Sequence, residues 1–515
     1  MSDARTTHTD LFELAPFQPT EGEGHFFSDP AAAVARLQEI HKANMAFLVR
    51  QYESACQAKA RNESIPSSIR ACYPELRFTV DEVGEVDASL SHGFVDRPGI
   101  YAATITRPKM YERYLMEQIE SLLVNHGGEV EVRVSEQPIP LRMCRGFNEA
   151  AERATELIGE SFTAADISAV ERCFTPIDSA FIDDTVADGE ADFLNLPIKP
   201  LSLFSAPRVD LALQRLEHYA GSNASHIQRF ILFTNYQLHT DVFLTYAAEL
   251  APDNKHGYTE LVCPGDMRFP IGEVPSAEVC RRHAHASQMP AYHLVREDDC
   301  GVSIIDIGVG PSNAKTITDC LAVLRPHCWM MVGHCAGLDG RMRIGDMILA
   351  NGYDRADGIL DEIVPLEKPI PPIAEVQMAV TDALRRVSGL DRDSLKKRLR
   401  TGTVLSTSDR NWEWRAQSDI YRDLQKSTAI GVEMESATIA ANGYRFRVPY
   451  GALLSVSDMP LHDQPKLPRS ARRFYQASKM EHLMSAVQAC ELMAENPDQL
   501  HSRKLRRPVG EVAFR

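Results

Sequence analysis

The stretch Gly431-Val432-Glu433-Met434-Glu435-Ser436-Ala437, followed by Tyr450-Gly451-Ala452-Leu453-Leu454-Ser455-Val456-Ser457-Asp458, decides the fold. Its first part opens a helical stretch with two carboxylates separated by one residue. Its second part is an apolar strand that ends on a single acid. In open α/β sheets, ligands sit at the carboxyl ends of the strands. Asp458 occupies such an end.

Working outward, the same alternation continues upstream. A helix over 210–219, a strand over 229–235, a long insertion, a strand over 302–308, a helix over 312–324 and a strand over 328–332 predict a mostly parallel or mixed sheet flanked by helices. The N-terminal part reads differently. Apolar residues at Ala33, Val34, Leu37, Ile40, Ala43, Met45, Phe47 and Leu48 predict a long amphipathic helix from Asp29 to about Lys59. Strands over 76–80, 99–108 and 129–135, with a helix over 111–125, then predict a small α+β domain. The expected division is an N-terminal α+β domain over 1–190 and a catalytic α/β domain over 191–515. Residues 1–30 read as a mobile polar tail, and Pro365–Pro372, with four prolines, as a loop able to cover a site.

Composition excludes several classes. A formal net charge of −16 opposes nucleic-acid binding, which needs a surplus of Lys and Arg against phosphates. No apolar run reaches the roughly 18 residues of a membrane span, and the N-terminus lacks an apolar signal segment, so a cytoplasmic protein is expected. The eleven cysteines contain no C-x-x-C pair and read as reduced thiols, with no metal site expected. The basic run from His501 to Arg507 is a solvated tail or, more sharply, a phosphate contact.

The chemistry-bearing residues cluster at predicted strand ends. Asp306-Ile307-Gly308-Val309-Gly310-Pro311-Ser312-Asn313-Ala314 is a glycine-rich turn whose amides can meet an anion or a sugar edge. It is not a dinucleotide fingerprint, because Asn313 stands at the third glycine. Gly333-His334-Cys335-Ala336-Gly337 ends another strand. Thr403–Trp412 runs a strand into a polar loop bearing Arg410 and the aromatic Trp412, a surface on which a base can stack. A hydroxyl-binding Glu beside an acid that can protonate a leaving base is what N-glycosidic cleavage requires. These residues therefore point to a nucleoside or nucleotide.

With these segments placed, the chain resembles the purine nucleoside phosphorylase-like superfamily, and more narrowly the bacterial AMP nucleosidases over nearly its whole length. The resemblance rests on Thr104–Pro108, Leu232–Tyr236, Asp409–Glu413, Met434–Ala441 and Gly443–Gly451. It implies hydrolysis of AMP to adenine and ribose 5-phosphate, in the service of purine salvage. It further implies no cofactor for the chemistry, a homo-hexamer, activation by MgATP and inhibition by phosphate. Residue by residue, it implies Asp458 as the acid at the purine N7, Glu435 on the ribose hydroxyls with Met434 against the sugar, and Trp412 near the base. Glu433, Asn235 and His334 join the substrate-binding set, and Arg107 and Arg410 (with Arg445 as a further choice) are the expected cations for the 5′-phosphate. Two departures from the phosphorylases favour water as nucleophile: Met331 stands where they place a phosphate-binding Arg, and His334 where they place a Ser or Thr. A third change puts Ala336 at a family Gly. The rival expectations are a phosphorylase or nucleosidase acting on unphosphorylated purine nucleosides, and a non-catalytic adenine-nucleotide sensor.

Overall fold

The computed structural model describes residues 24–86, 92–144, 146–158, 162–465, 468–500 and 505–515. Most of the expected tail (1–23) and His501–Lys504 of the basic run lie outside these. The chain divides into two compact units, 1–211 with 509–515 and 212–508, so the division falls after Leu211 rather than at 190.

The first unit contains a five-stranded sheet built from β1 (His25–Phe27), β2 (Cys72–Val80), β3 (Gly99–Thr104), β4 (Val130–Pro138) and β5 (Ile198–Pro200), in the order β1-β4-β2-β3-β5. The long helix Pro30–Ala60 starts where the sequence says it must: Pro30 fixes the first turn and the Asp29 carboxylate accepts from the Ala32 amide at 2.8 Å. Its apolar stripe (Ala33, Val34, Leu37, Ile40) packs with Leu76, Phe78 and Val80 of β2 and Val130 and Val132 of β4. Residues 25–27 correct the expected tail, since they pair antiparallel with β4. The C-terminal Val509–Arg515 returns to this unit, with Phe514 buried in the same core.

The second unit is a ten-stranded mixed sheet flanked by helices. Its strands are β6 (Phe230–Thr234), β7 (Tyr258–Cys263), β8 (Met267–Pro270), β9 (Ala291–Arg296), β10 (Val302–Asp306), β11 (Cys328–Gly337), β12 (Met347–Ala356), β13 (Leu399–Thr407), β14 (Ala429–Glu433) and β15 (Tyr450–Asp458). The order is β14-β13-β12-β15-β11-β6-β10-β9-β7-β8. The long insertion supplies the helix Gln237–Glu249 and three strands, β7, β8 and β9, which extend one edge by antiparallel pairing.

Strands β15, β11, β6 and β10 run parallel, which brings their carboxyl ends to one rim. Every residue of β11, β15 and β6 is buried, so the apolar runs reflect cover on both faces. At the other side, β14 pairs antiparallel with β11 and closes a ring of β14, β13, β12, β15 and β11. The Pro365–Pro372 loop ties to the opposite end of β15 from Asp458, because the Tyr450 hydroxyl donates to the Pro371 carbonyl at 2.6 Å. That placement corrects its expected role over the site. Among the described residues no helix is long and apolar enough to cross a membrane.

Candidate active site

Ring closure sets the spacing of the two acids. Ala336 on β11 lies between Asp458 of β15 on one side and Val432 of β14 on the other. Adjacent strands lie about 4.8 Å apart, so the backbone of Asp458 and the start of the Glu433–Glu435 turn are roughly 10 Å apart across that rim. The β11–β15 register slips between Cys335 and Ala336, and this irregularity is what brings Asp458 opposite Ala336. Ser457 Oγ hydrogen-bonds Asp458 Oδ1 and also reaches the Cys335 carbonyl at 3.3 Å.

Glu433 and Glu435 divide their work. Glu433 Oε2 accepts from the amides of Glu435 and Ser436, each at 2.8 Å, and its other oxygen accepts from Ser406 Oγ, which in turn accepts from the Ala437 amide at 2.9 Å. Its carboxylate is therefore absorbed in capping the helix Ser436–Phe446. This places Glu433 as the support of the turn. Glu435 instead accepts from the Gly310 amide at 2.6 Å and from Asn235 Nδ2 at 3.4 Å. Strand ends β6 and β10 thus both serve one carboxylate. Gly310 has φ +117°, a conformation that only glycine adopts freely, and it is the first residue ahead of Pro311 in the helix Pro311–Leu321.

Burial pushes both glutamates up. For Glu435, burial and then the neighbouring Glu433 raise the carboxyl to about 8. The donors Ser406, Glu435 N–H and Ser436 N–H act against that rise at Glu433, and the Gly310 amide and Asn235 do the same at Glu435. Burial also raises Asp306 at the end of β10, against the lowering effect of the Gly308 amide.

The remaining sequence-selected residues fall in distinct places. Met434 is half-buried in the turn, Trp412 is half-buried in the short helical turn Trp412–Trp414 after β13, and Arg410 is exposed just before it. His334 is buried in β11, with its ring edge-on to Tyr236 at 4.4 Å between centroids. Arg445 is a core residue: it bonds Asp319 at 3.2 Å and stacks over Phe446 at 4.5 Å, so its charge is spent inside the fold. Arg107 belongs to the first unit, where its Nε lies 3.2 Å from the buried Asp210, itself held by Tyr73 and Thr106. Gly310, Ser406 and Ser457 are the contributors that reading the sequence left unassigned. Gly310 lay inside the glycine-rich turn, whereas nothing marked Ser406 before the β13–β14 pairing set it against Glu433.

The chain is similar to several known proteins. A family model described as the bacterial AMP nucleoside phosphorylase N-terminus matches residues 32–195, and one for the phosphorylase superfamily matches residues 273–490. The AMP nucleosidase of Escherichia coli (strain K12) is 42% identical over 445 residues, which is 86% of this chain and 89% of that protein. A guanosine phosphorylase of Halorubrum lacusprofundi is 25% identical over 199 residues, covering 38% of this chain and 76% of its own. Among solved structures, an AMP nucleosidase from Bacteroides thetaiotaomicron is 26% identical with a TM-score of 0.40, over 56% of this chain and 98% of that one.

Proposed function

The chain belongs to the AMP nucleosidase family, and from that premise we propose how its site cleaves the nucleotide. The enzyme hydrolyses the N-glycosidic bond of AMP, releasing adenine and ribose 5-phosphate. The observation that supports this chemistry best is the pairing of Asp458 and Val432 with the same β11 residue, which brings an acid and the Glu433–Glu435 turn to neighbouring strand ends of one rim.

In this reading the ribose hydroxyls bind Glu435, Met434 lies against the sugar and the base lies towards the Trp412 turn. Asp458 gives its proton to N7 of adenine as the C1′–N9 bond stretches. Positive charge develops on the ribose ring, water adds at C1′, and the proton that water loses replaces the one given to the base. The bond to N7 strengthens as negative charge builds on the departing base, so it stabilises the transition state more than the ground state. Met331, buried in β11, offers no charge to a phosphate nucleophile, which favours water. Arg410, exposed beside the Trp412 turn, is the cation we assign to the 5′-phosphate.

The finer reading adds a cytoplasmic homo-hexamer that adjusts AMP levels in purine salvage, activated by MgATP and inhibited by phosphate. Incubation with AMP or adenosine, with and without phosphate, tests the substrate. Adenine and ribose 5-phosphate from AMP in phosphate-free buffer are expected. Phosphate-dependent release of a sugar 1-phosphate, or AMP binding without adenine release, would overturn the reading.

A further inference from the structure

Three histidines from three separate elements converge inside the second unit. His239 comes from the helix Gln237–Glu249, His334 from β11 and His482 from the helix Pro468–Met493. One nitrogen of each lies within 4.8 Å of the corresponding atoms of the other two. All three are buried, His239 and His482 completely. The rings of His239 and His334 stack at 5.2 Å, and His482 stands across His239 at 5.1 Å.

Burial disfavours positive charge on His239 and His482, and a neutral imidazole keeps one in-plane lone pair. The proton of His482 can be assigned. Its Nε2 lies 2.8 Å from the Leu453 carbonyl, which only accepts, so Nε2 carries the hydrogen and Nδ1 the lone pair. That Nδ1 is buried with no hydrogen-bond partner among the described residues. A buried polar atom of this kind calls for an occupant. On the opposite side, His239 Nδ1 is anchored 2.7 Å from Thr234 Oγ1. A carbonyl or hydroxyl on the far nitrogen is the arrangement that orients imidazoles bound to a metal.

We propose that His239, His334 and His482 bind one divalent transition-metal ion of the zinc class. The cluster offers three neutral nitrogens and no carboxylate, which suits Zn²⁺, Co²⁺ or Ni²⁺ and not the oxygen-seeking Mg²⁺ or Ca²⁺. Nitrogens bound to one zinc at about 2.0–2.1 Å lie roughly 3.4 Å apart, so binding draws the rings inward by side-chain rotation. The ion joins two helices to β11 close to the sugar side of the site. Gly333, beside His334, faces Asn235 Oδ1, and the Asn235 amide reaches Glu435. The inference stands apart from the AMP reading and from any MgATP site.

The test uses the full chain without a histidine tag, stripped by chelator and titrated with Co²⁺. One equivalent bound per chain is expected, with the visible bands of a low-symmetry nitrogen-ligated ion and a higher melting temperature. His482→Gln and His239→Gln, each checked for fold by circular dichroism, lose that equivalent. Absent or substoichiometric binding by the wild-type chain overturns the proposal, as does full binding by the folded variants. Should a variant fail to fold, the wild-type spectrum alone decides: nitrogen-ligand bands support the site, and the spectrum of aqueous Co²⁺ excludes it.

Discussion

At the scale of single residues, the two glutamates of the opening stretch are alike in sequence and unlike in place. Glu433 meets two amides of its own turn and the Ser406 hydroxyl of β13, whereas Glu435 is held by Gly310 and Asn235 from the ends of β10 and β6. The raised carboxyl of Glu435 has a consequence for stability. A proton held more tightly in the folded state stabilises the fold fully below the ordinary glutamate range, and that gain is lost as pH rises towards about 8. Stability of the wild-type chain should therefore decline across that window, and Glu435→Gln should flatten the decline. Urea melts at pH 5 and pH 8 measure it, and equal slopes for the two proteins would contradict it. Arg410→Ala should raise KM for AMP by about 10-fold or more while leaving adenosine little affected, as loss of a charge-assisted phosphate contact predicts; parallel assays with the two substrates decide it. The acidic partners of Arg445 and Arg107 were not legible in the sequence, because Asp319 and Asp210 lie 126 and 103 positions away. Only the fold chooses such partners.

At the scale of elements, the strand ends carry the site and were the most legible part. Strands buried on both faces are apolar along most of their length, and their carboxyl-terminal residues turn small and polar, as at Gly333–Gly337 of β11 and Ser457-Asp458 of β15. Edge strands leave a weaker trace. β7 alternates buried and exposed positions only in part, so the segment between β6 and β10 reads as an insertion. Two glycines show where a side chain cannot be accommodated, one for space and one for backbone conformation. A side chain at Gly443 would meet the Tyr450 ring at 2.3 Å and the Val448 carbonyl at 2.8 Å, which fixes the tight return from helix to β15. At Gly310 there is space, but the backbone is in a region other residues avoid. Gly310→Ala should cost about 1–3 kcal/mol of strain and weaken AMP binding by shifting the amide from Glu435. A thermal melt together with KM measures both; an unchanged KM would separate Gly310 from the sugar site. Glu433→Ala should cost about 1–3 kcal/mol, since Ser406 and two buried amides lose their acceptor, and calorimetry reads that directly.

At the scale of the whole molecule, the chain leaves its first unit near Leu211 and returns to it at Val509. The return is anchored: the Phe514 amide donates to the Leu201 carbonyl at 2.9 Å, and the Tyr114 hydroxyl donates to the Arg515 carbonyl at 2.8 Å. Sequence reading assigned all of 191–515 to one domain, because seven residues are too few to show a pattern of their own. The convergence of His239, His334 and His482 was equally hidden, with 95 and 148 positions between successive members. What the sequence did convey was the run of motifs that identifies the family, together with the strand-end acid to which we assign the proton transfer. The most direct test is the turnover of Asp458→Asn on AMP, measured as adenine release beside the equilibrium affinity for AMP. General acid catalysis of this kind is worth roughly 10²–10⁴-fold, so turnover should fall by that factor with only a modest loss of affinity. Full turnover in the variant would contradict the account.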